Sequence, residues 1–360
     1  MKYIVILAIV FVVMLTAPFV GAVVYCLGKK GSVLQIRQEK TKDARYFGKA
    51  FAQLVENNLS TVSGHRIRLS KEEAFVDGDV ARYYTDTVDE MVICRTKDFY
   101  APKNVKAFYK EIYGARDIVI SGNNVRLRAA CARERMILGT GVTVERWVDA
   151  EQTLTVYDNC DLGMSAAAGK RLCVGPGCRF HRLYAPEILI GQHPDDLKDP
   201  MDEKKSDILE PAGPQPVVKN IKAVDHEMVN EREEAEISIV TDQDLTIMEG
   251  VIVKGDICSR KGVRVCDGAV VCGNLFAEED VLIGAGAAVL GNVFTQGNII
   301  AEKQAMFGRP GRIRSVVARE TITFDKDTAV FGSVSCEGGG SIRPGAGKGG
   351  REELMFLQVT

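Results

Sequence analysis

Histidine is scarce in this chain, with 4 in 360 residues, and none of the 10 cysteines forms a Cys-x-x-Cys pair. Structural zinc sites need close His/Cys spacings, so no metal centre is expected. A basic excess is missing as well: the formal net charge is −2, which gives no signal for nucleic acid as a partner. No complete phosphate loop occurs either. Gly345-Ala346-Gly347-Lys348 lacks the first glycine of a Walker loop and the Ser or Thr that should follow, and no strand precedes it. These absences leave no candidate catalytic residue, cofactor site or metal site. Ten unpatterned thiols fit a reducing compartment better than a disulfide framework.

What the chain does contain is an 18-residue beat. Rows starting at Leu245, Val263 and Val281 place apolar residues at offsets 0, 2, 6, 8 and 12, as in Val263, Val265, Ala269, Val271 and Leu275. The register returns at Ile322, Phe324, Thr328, Val330 and Val334, after a longer coil beginning at Ile299. It is also present earlier, at Met136, Leu138, Val142, Val144 and Val148, then from Leu154 and from Leu172. Apolar residues two apart, then a break, describe a short strand showing one face to a core. Three such strands per 18 residues, closed by turns, make one coil of a stacked solenoid. A second register supports the first. Offset 5 holds Gly141, Asn159, Gly177, Gly250, Gly268, Gly286 and Asp327, although Gly, Asn and Asp together make up only 69 of 360 residues. Those types tolerate the positive φ that a tight corner demands. The fold class expected is therefore all-β: a β-solenoid of about 18 residues per coil in two blocks, 117–192 and 237–336. Gly284-Ala285-Gly286 and Gly175-Pro176-Gly177 fall on its corners and read as turns. Cys160 and Cys178 share offset 6 and should stack as buried thiols.

Outside the beat, residues 3–27 are apolar and uncharged and predict an N-terminal transmembrane anchor over 1–28; a cleaved signal peptide is the rival reading. Lys29, Lys30, Arg37, Lys40 and Lys42 follow in a basic stalk, 29–43, which by the positive-inside rule places the bulk of the chain in the cytoplasm. Residues 44–116 read as a small α/β cap, opening with an amphipathic helix at Tyr46, Phe47, Ala50, Phe51, Leu54 and Val55. Residues 193–236 carry thirteen acidic residues, six basic residues and five prolines, the composition of a linker. The tail, 337–360, is glycine-rich through Gly350 and closes on Leu354, Met355, Phe356, Leu357 and Val359.

The phrases Val253-Lys254-Gly255-Asp256-Ile257, Val271-Cys272-Gly273-Asn274-Leu275 and Val289-Leu290-Gly291-Asn292-Val293 resemble the bactofilin family, the polymer-forming cytoskeletal proteins. The resemblance covers 245–336 well and 117–191 more loosely. It implies a right-handed β-helix, end-to-end self-assembly without nucleotide, and a scaffold role on the cytoplasmic face of a bacterial inner membrane, with envelope proteins as further partners. Two blocks, a dedicated anchor and a five-residue insertion near Arg309-Pro310-Gly311 depart from the family pattern and put filament formation in doubt.

On this reading the contact surfaces are the terminal coils: Ile237, Ile239, Leu245 and Ile247 at one end, Ile322, Phe324, Val330 and Val334 at the other. Arg309, Arg312 and Arg314, with Arg319, are candidates for contact with anionic lipid or a partner, against a plain solvated loop. The same choice applies to Arg126, Arg128, Arg133 and Arg135. Two other classes compete with the scaffold. A hexapeptide-repeat acyltransferase also uses 18-residue coils but needs a histidine base, and His181 is the one histidine inside a block. An exported surface structural protein would follow from the opposite membrane orientation.

Overall fold

Parallel pairing at an 18-residue step builds the molecule. In the computed structural model, Val263 pairs with Val281, Val281 with Ile299, and Ile299 with Ile322. All four side chains are buried, so the inward offsets form continuous aliphatic columns. The chain winds about 12 turns of β-solenoid with little helix. The structure describes residue 11 and residues 43–59, 66–69, 72–77, 86–192 and 238–344. The expected anchor (apart from residue 11), stalk (apart from residue 43) and linker lie outside these. Among the described residues no helix is long and apolar enough to cross a membrane.

Two devices hold each coil in register with the next. The corners are left-handed: the seven residues at offset 5 have φ between 56° and 73°, and Gln304 of the irregular coil joins them at 60°. Side-chain amides and carboxylates then bridge the coils. Asn274 donates from its backbone N and Nδ2 to Oδ1 of Asp256 at 2.6 and 3.0 Å, Asn292 repeats the pattern on Asn274, and the Ser315 amide closes the ladder on Asn292. A one-residue slip would break every rung. Gly273 and Gly291, at offset 10, are needed for a different reason from the corner residues. A Cβ on either would collide with the glycine carbonyl of the coil before it.

The insertion is absorbed without loss of register. Val293 pairs with Val316, five residues beyond the regular step, and the extra residues leave the wall as a loop closed by a bridge between Arg309 and Arg312. The Cys160 amide donates to Cys178 Sγ at 3.3 Å, and the nine described cysteines are all free thiols.

Two features of the first block differ from the sequence expectation. The solenoid starts well before residue 117: Val88 pairs in parallel with Phe108, Val92 with Ile112 and Phe99 with Ile118. These early coils run longer than 18 residues, so the beat does not register them, although Asn104 falls five residues after Phe99. The cap therefore reduces to a helix, α1 (Tyr46–Leu59), and an antiparallel hairpin of Arg66–Leu69 with Glu72–Val76. The hairpin's second strand pairs in parallel with Met91–Cys94 and so tops the solenoid at that end.

The larger difference concerns the other ends. The closing strand of the first block, Arg179–Ile190, pairs antiparallel with the closing strand of the second, Thr328–Ile342. Leu183 lies opposite Val334, and Ile188 opposite Val330. The two blocks are thus joined tail to tail, about a local two-fold, into one rod with one core.

Candidate functional site

The joint consumes one of the two expected contact surfaces. Ile322, Phe324, Val330 and Val334 are buried inside the chain, not displayed on a terminal coil. Phe180 stacks on Phe324 with ring centroids 6.0 Å apart and planes 16° apart, and Phe307 meets Phe324 edge-on at 5.9 Å. The physical reason is that an open parallel edge exposes both its backbone groups and the end of its core column. Each block covers the other's edge.

The second surface remains open. The strands Ile239–Thr241, Leu245–Ile247 and Ile252–Val253 pair on one side only among the described residues. Ile239 and Leu245 are half-buried at the top of the core, Ile247 is buried beneath them, and Ile237 lies outside the described residues. Acidic groups ring this edge: Asp242 pairs with Arg260 at 3.3 Å, and Asp244 accepts the Gly262 amide at 3.0 Å. Charge on an edge deters indiscriminate strand addition while leaving a matched partner able to pair.

The two arginine groups have different surroundings. Arg126, Arg128, Arg133 and Arg135 pair with Glu145, Glu111, Glu56 and Asp117, so they form rungs of intramolecular ion pairs. Arg309 and Arg312 are exposed on the inserted loop beside exposed Ile313, while Arg314 is half-buried where the chain rejoins the wall. His181 Nδ1 lies 3.1 Å from the Gly163 carbonyl, a backbone contact within the wall of the solenoid.

Sequence reasoning missed the way α1 docks on the first block. Arg45 donates from Nε and Nη2 to both oxygens of Asp149, at 2.7 and 3.1 Å, and Asp149 is 3% exposed. Glu56 accepts from Tyr113 at 2.7 Å and from Arg133 at 2.7 and 3.0 Å, and Arg133 reaches on to Glu151. Gly48 lets the helix backbone approach, since a Cβ there would strike the Asp149 side chain. Ala52 and Val55 fill the remaining contact with Ile93, Tyr113 and Cys131. Burial pushes Glu56 toward protonation, but the hydrogen bonds from Tyr113 and Arg133 outweigh it and hold the carboxyl below its usual value. Burial, with Asp149 close by, lifts the Cys131 thiol to about 12. The signal was available: Asp149 sits at an outward offset beside the only tryptophan, Trp147, against which Phe51 packs at 5.7 Å.

Compared with profiles of known families, with curated proteins and with solved structures, the chain gives no match. The reading of its function therefore rests on its own residues.

Proposed function

We propose that this chain is a non-enzymatic structural scaffold of the bactofilin kind, held at a bacterial inner membrane by residues 3–27, with its solenoid on the cytoplasmic side and envelope proteins among its partners. The observation that carries the reading is the asymmetry of the rod's ends. Among the described residues the hairpin Arg66–Leu69 and Glu72–Val76 tops Met91–Cys94 at one end, where Thr87–Val88 and Phe99–Tyr100 pair on one side only; the two tails are spent on each other, and the edge at Ile239, Leu245 and Ile247 carries no cover. The hairpin makes the two ends unlike, which favours pairing of two rods at the uncovered edge and disfavours an indefinite filament. A closed isologous pair uses up that edge in both copies. The loop at Arg309, Arg312 and Arg314, with exposed Ile313 beside it, suits an anionic lipid surface, at about 1 kcal/mol per basic residue.

Sedimentation of the full-length protein in detergent tests the pairing. A monomer–dimer equilibrium is expected, moved toward monomer by Leu245→Glu or Val240→Glu. Wild-type protein that stays monomeric over a hundredfold concentration range removes the edge from the reading, and so do long polymers. Co-sedimentation with anionic vesicles, lost on Arg309→Glu with Arg312→Glu, tests the loop; unchanged binding ends that part. Protease accessibility in intact cells separates the cytoplasmic from the exported arrangement.

A further inference from the structure

One outer face of the second block is apolar and exposed among the described residues. Parallel registers align Val240, Cys258, Phe276, Phe294 and Val317 in a single outward column. Phe276 and Phe294 pack against each other at 5.6 Å yet stay 49% and 41% exposed, and Val240 is 77% exposed. A contiguous aromatic and aliphatic strip of this kind on a soluble surface marks a place where something binds.

The local two-fold at the joint adds an internal comparison. It relates Phe294, Phe276, Cys258 and Val240 to Asp149, Cys131, Tyr113 and Ile93 of the first block, strand for strand outward from the joint. There the same column lies buried under α1. One half of a continuous face is thus covered by a helix of the chain. The equivalent half, which is the more apolar, has no cover among the described residues.

We propose that this strip is the docking site of the chain's own C-terminal segment, residues 351–360. Reach permits it. Along the solenoid axis Val317 and Phe294 lie one and two coils from Ser335, roughly 5 and 10 Å at ~4.8 Å per coil, and the closing strand runs seven residues beyond Ser335 to Ile342, at most ~23 Å round the coil. From Pro344 through the glycine-rich spacer to Glu352 the chain spans up to ~26 Å at ~3.3 Å per residue. Chemistry matches as well. Leu354, Met355, Phe356, Leu357 and Val359 supply apolar side chains, and Glu352-Glu353 directly precede them. The groove between the strip and the joint, about 640 Å³, is edged by Arg182 and Arg319, both exposed and neither paired with a carboxylate among the described residues. Glu352 and Glu353 can pair with these guanidiniums while the following residues cover Phe294 and Phe276. A short tether raises the effective concentration to the millimolar range, which favours the chain's own segment over that of a second copy. The proposal does not depend on the scaffold reading, and its readout is indifferent to whether rods pair at their open edges.

Hydroxyl-radical footprinting of the full-length protein in detergent tests it. Deleting 351–360 should raise the oxidation rates of Phe276 and Phe294 at least threefold and leave exposed Tyr100, on the first block, unchanged. The full-length double variant Phe356→Glu with Leu357→Glu should do the same, and a peptide of residues 351–360 should restore protection to the deletion protein. Equal rates with and without the segment overturn the proposal. Protection that grows with protein concentration also overturns it, by assigning the strip to a second copy.

Discussion

Glycine has two separate jobs in these coils, and they predict different costs for one substitution. Gly286 is a corner at φ 63° with open space around its Cβ position, so Gly286→Ala should cost only the left-handed strain, about 1–2 kcal/mol. Gly291 is not a left-handed corner, but a Cβ there would meet the Gly273 carbonyl, which belongs to the backbone of the neighbouring coil. Backbone cannot yield as a side-chain tip does, so Gly291→Ala should cost at least ~3 kcal/mol, the upper range for overpacking. Urea midpoints of the two variants should fall in that order. Asn274→Ala belongs to the same scale. It leaves the Asn292 amide without its acceptor and should cost about 1–3 kcal/mol by the same measurement.

At the level of elements, α1 stays on the solenoid through a few charged contacts around a small apolar patch. Arg45→Ala removes the guanidinium that spans both oxygens of buried Asp149, and losing one member of a buried ion pair costs about 3–5 kcal/mol. Because that exceeds what a two-turn apolar contact supplies, the helix should detach while the coils beneath persist. Amide exchange across 46–59 should speed up with little change at 118–190. Acid should act on the same contact. Glu56 titrates below its free value of 4.5 in the folded protein, so its contribution is complete above that value and is lost as pH falls through the lower, folded one. Exchange protection of α1 should hold from neutrality to about pH 5 and drop below pH 4.5, ahead of the solenoid core. Glu56→Gln should flatten that dependence.

For the whole molecule the decisive contact is the tail-to-tail joint. Arg182 and Ser335 are register partners across it, so the pair Arg182→Cys with Ser335→Cys should close a disulfide within one chain, seen as a monomer on a non-reducing gel and located by peptide mapping. Cross-linked dimers instead would mean that the tails meet between copies. Phe324→Asp places a charge between Phe180 and Phe307, in a core with no counter-charge. The joint should open, the Stokes radius should rise, and self-association should increase because two apolar tails are released. A surface residue at a free terminal coil would give the opposite result, a loss of association.

How much of this was legible depends on the range of the interaction concerned. The coil, its inward columns and its left-handed corners follow from residues within 18 of one another, and Val263, Val281 and Ile299 stack as their spacing requires. The extra early coils escaped because Phe99 to Ile118 and Val92 to Ile112 run longer than the beat, and no corner glycine marks them. The joint could not be read at all. Phe324 and Val330 carry the same inward pattern whether the next strand belongs to another coil, another molecule or a strand some 150 residues earlier. A one-dimensional pattern specifies which face of a strand is buried; only the tertiary structure decides what buries the last one, because that choice is made between two edges brought together in space by the whole length of the rod.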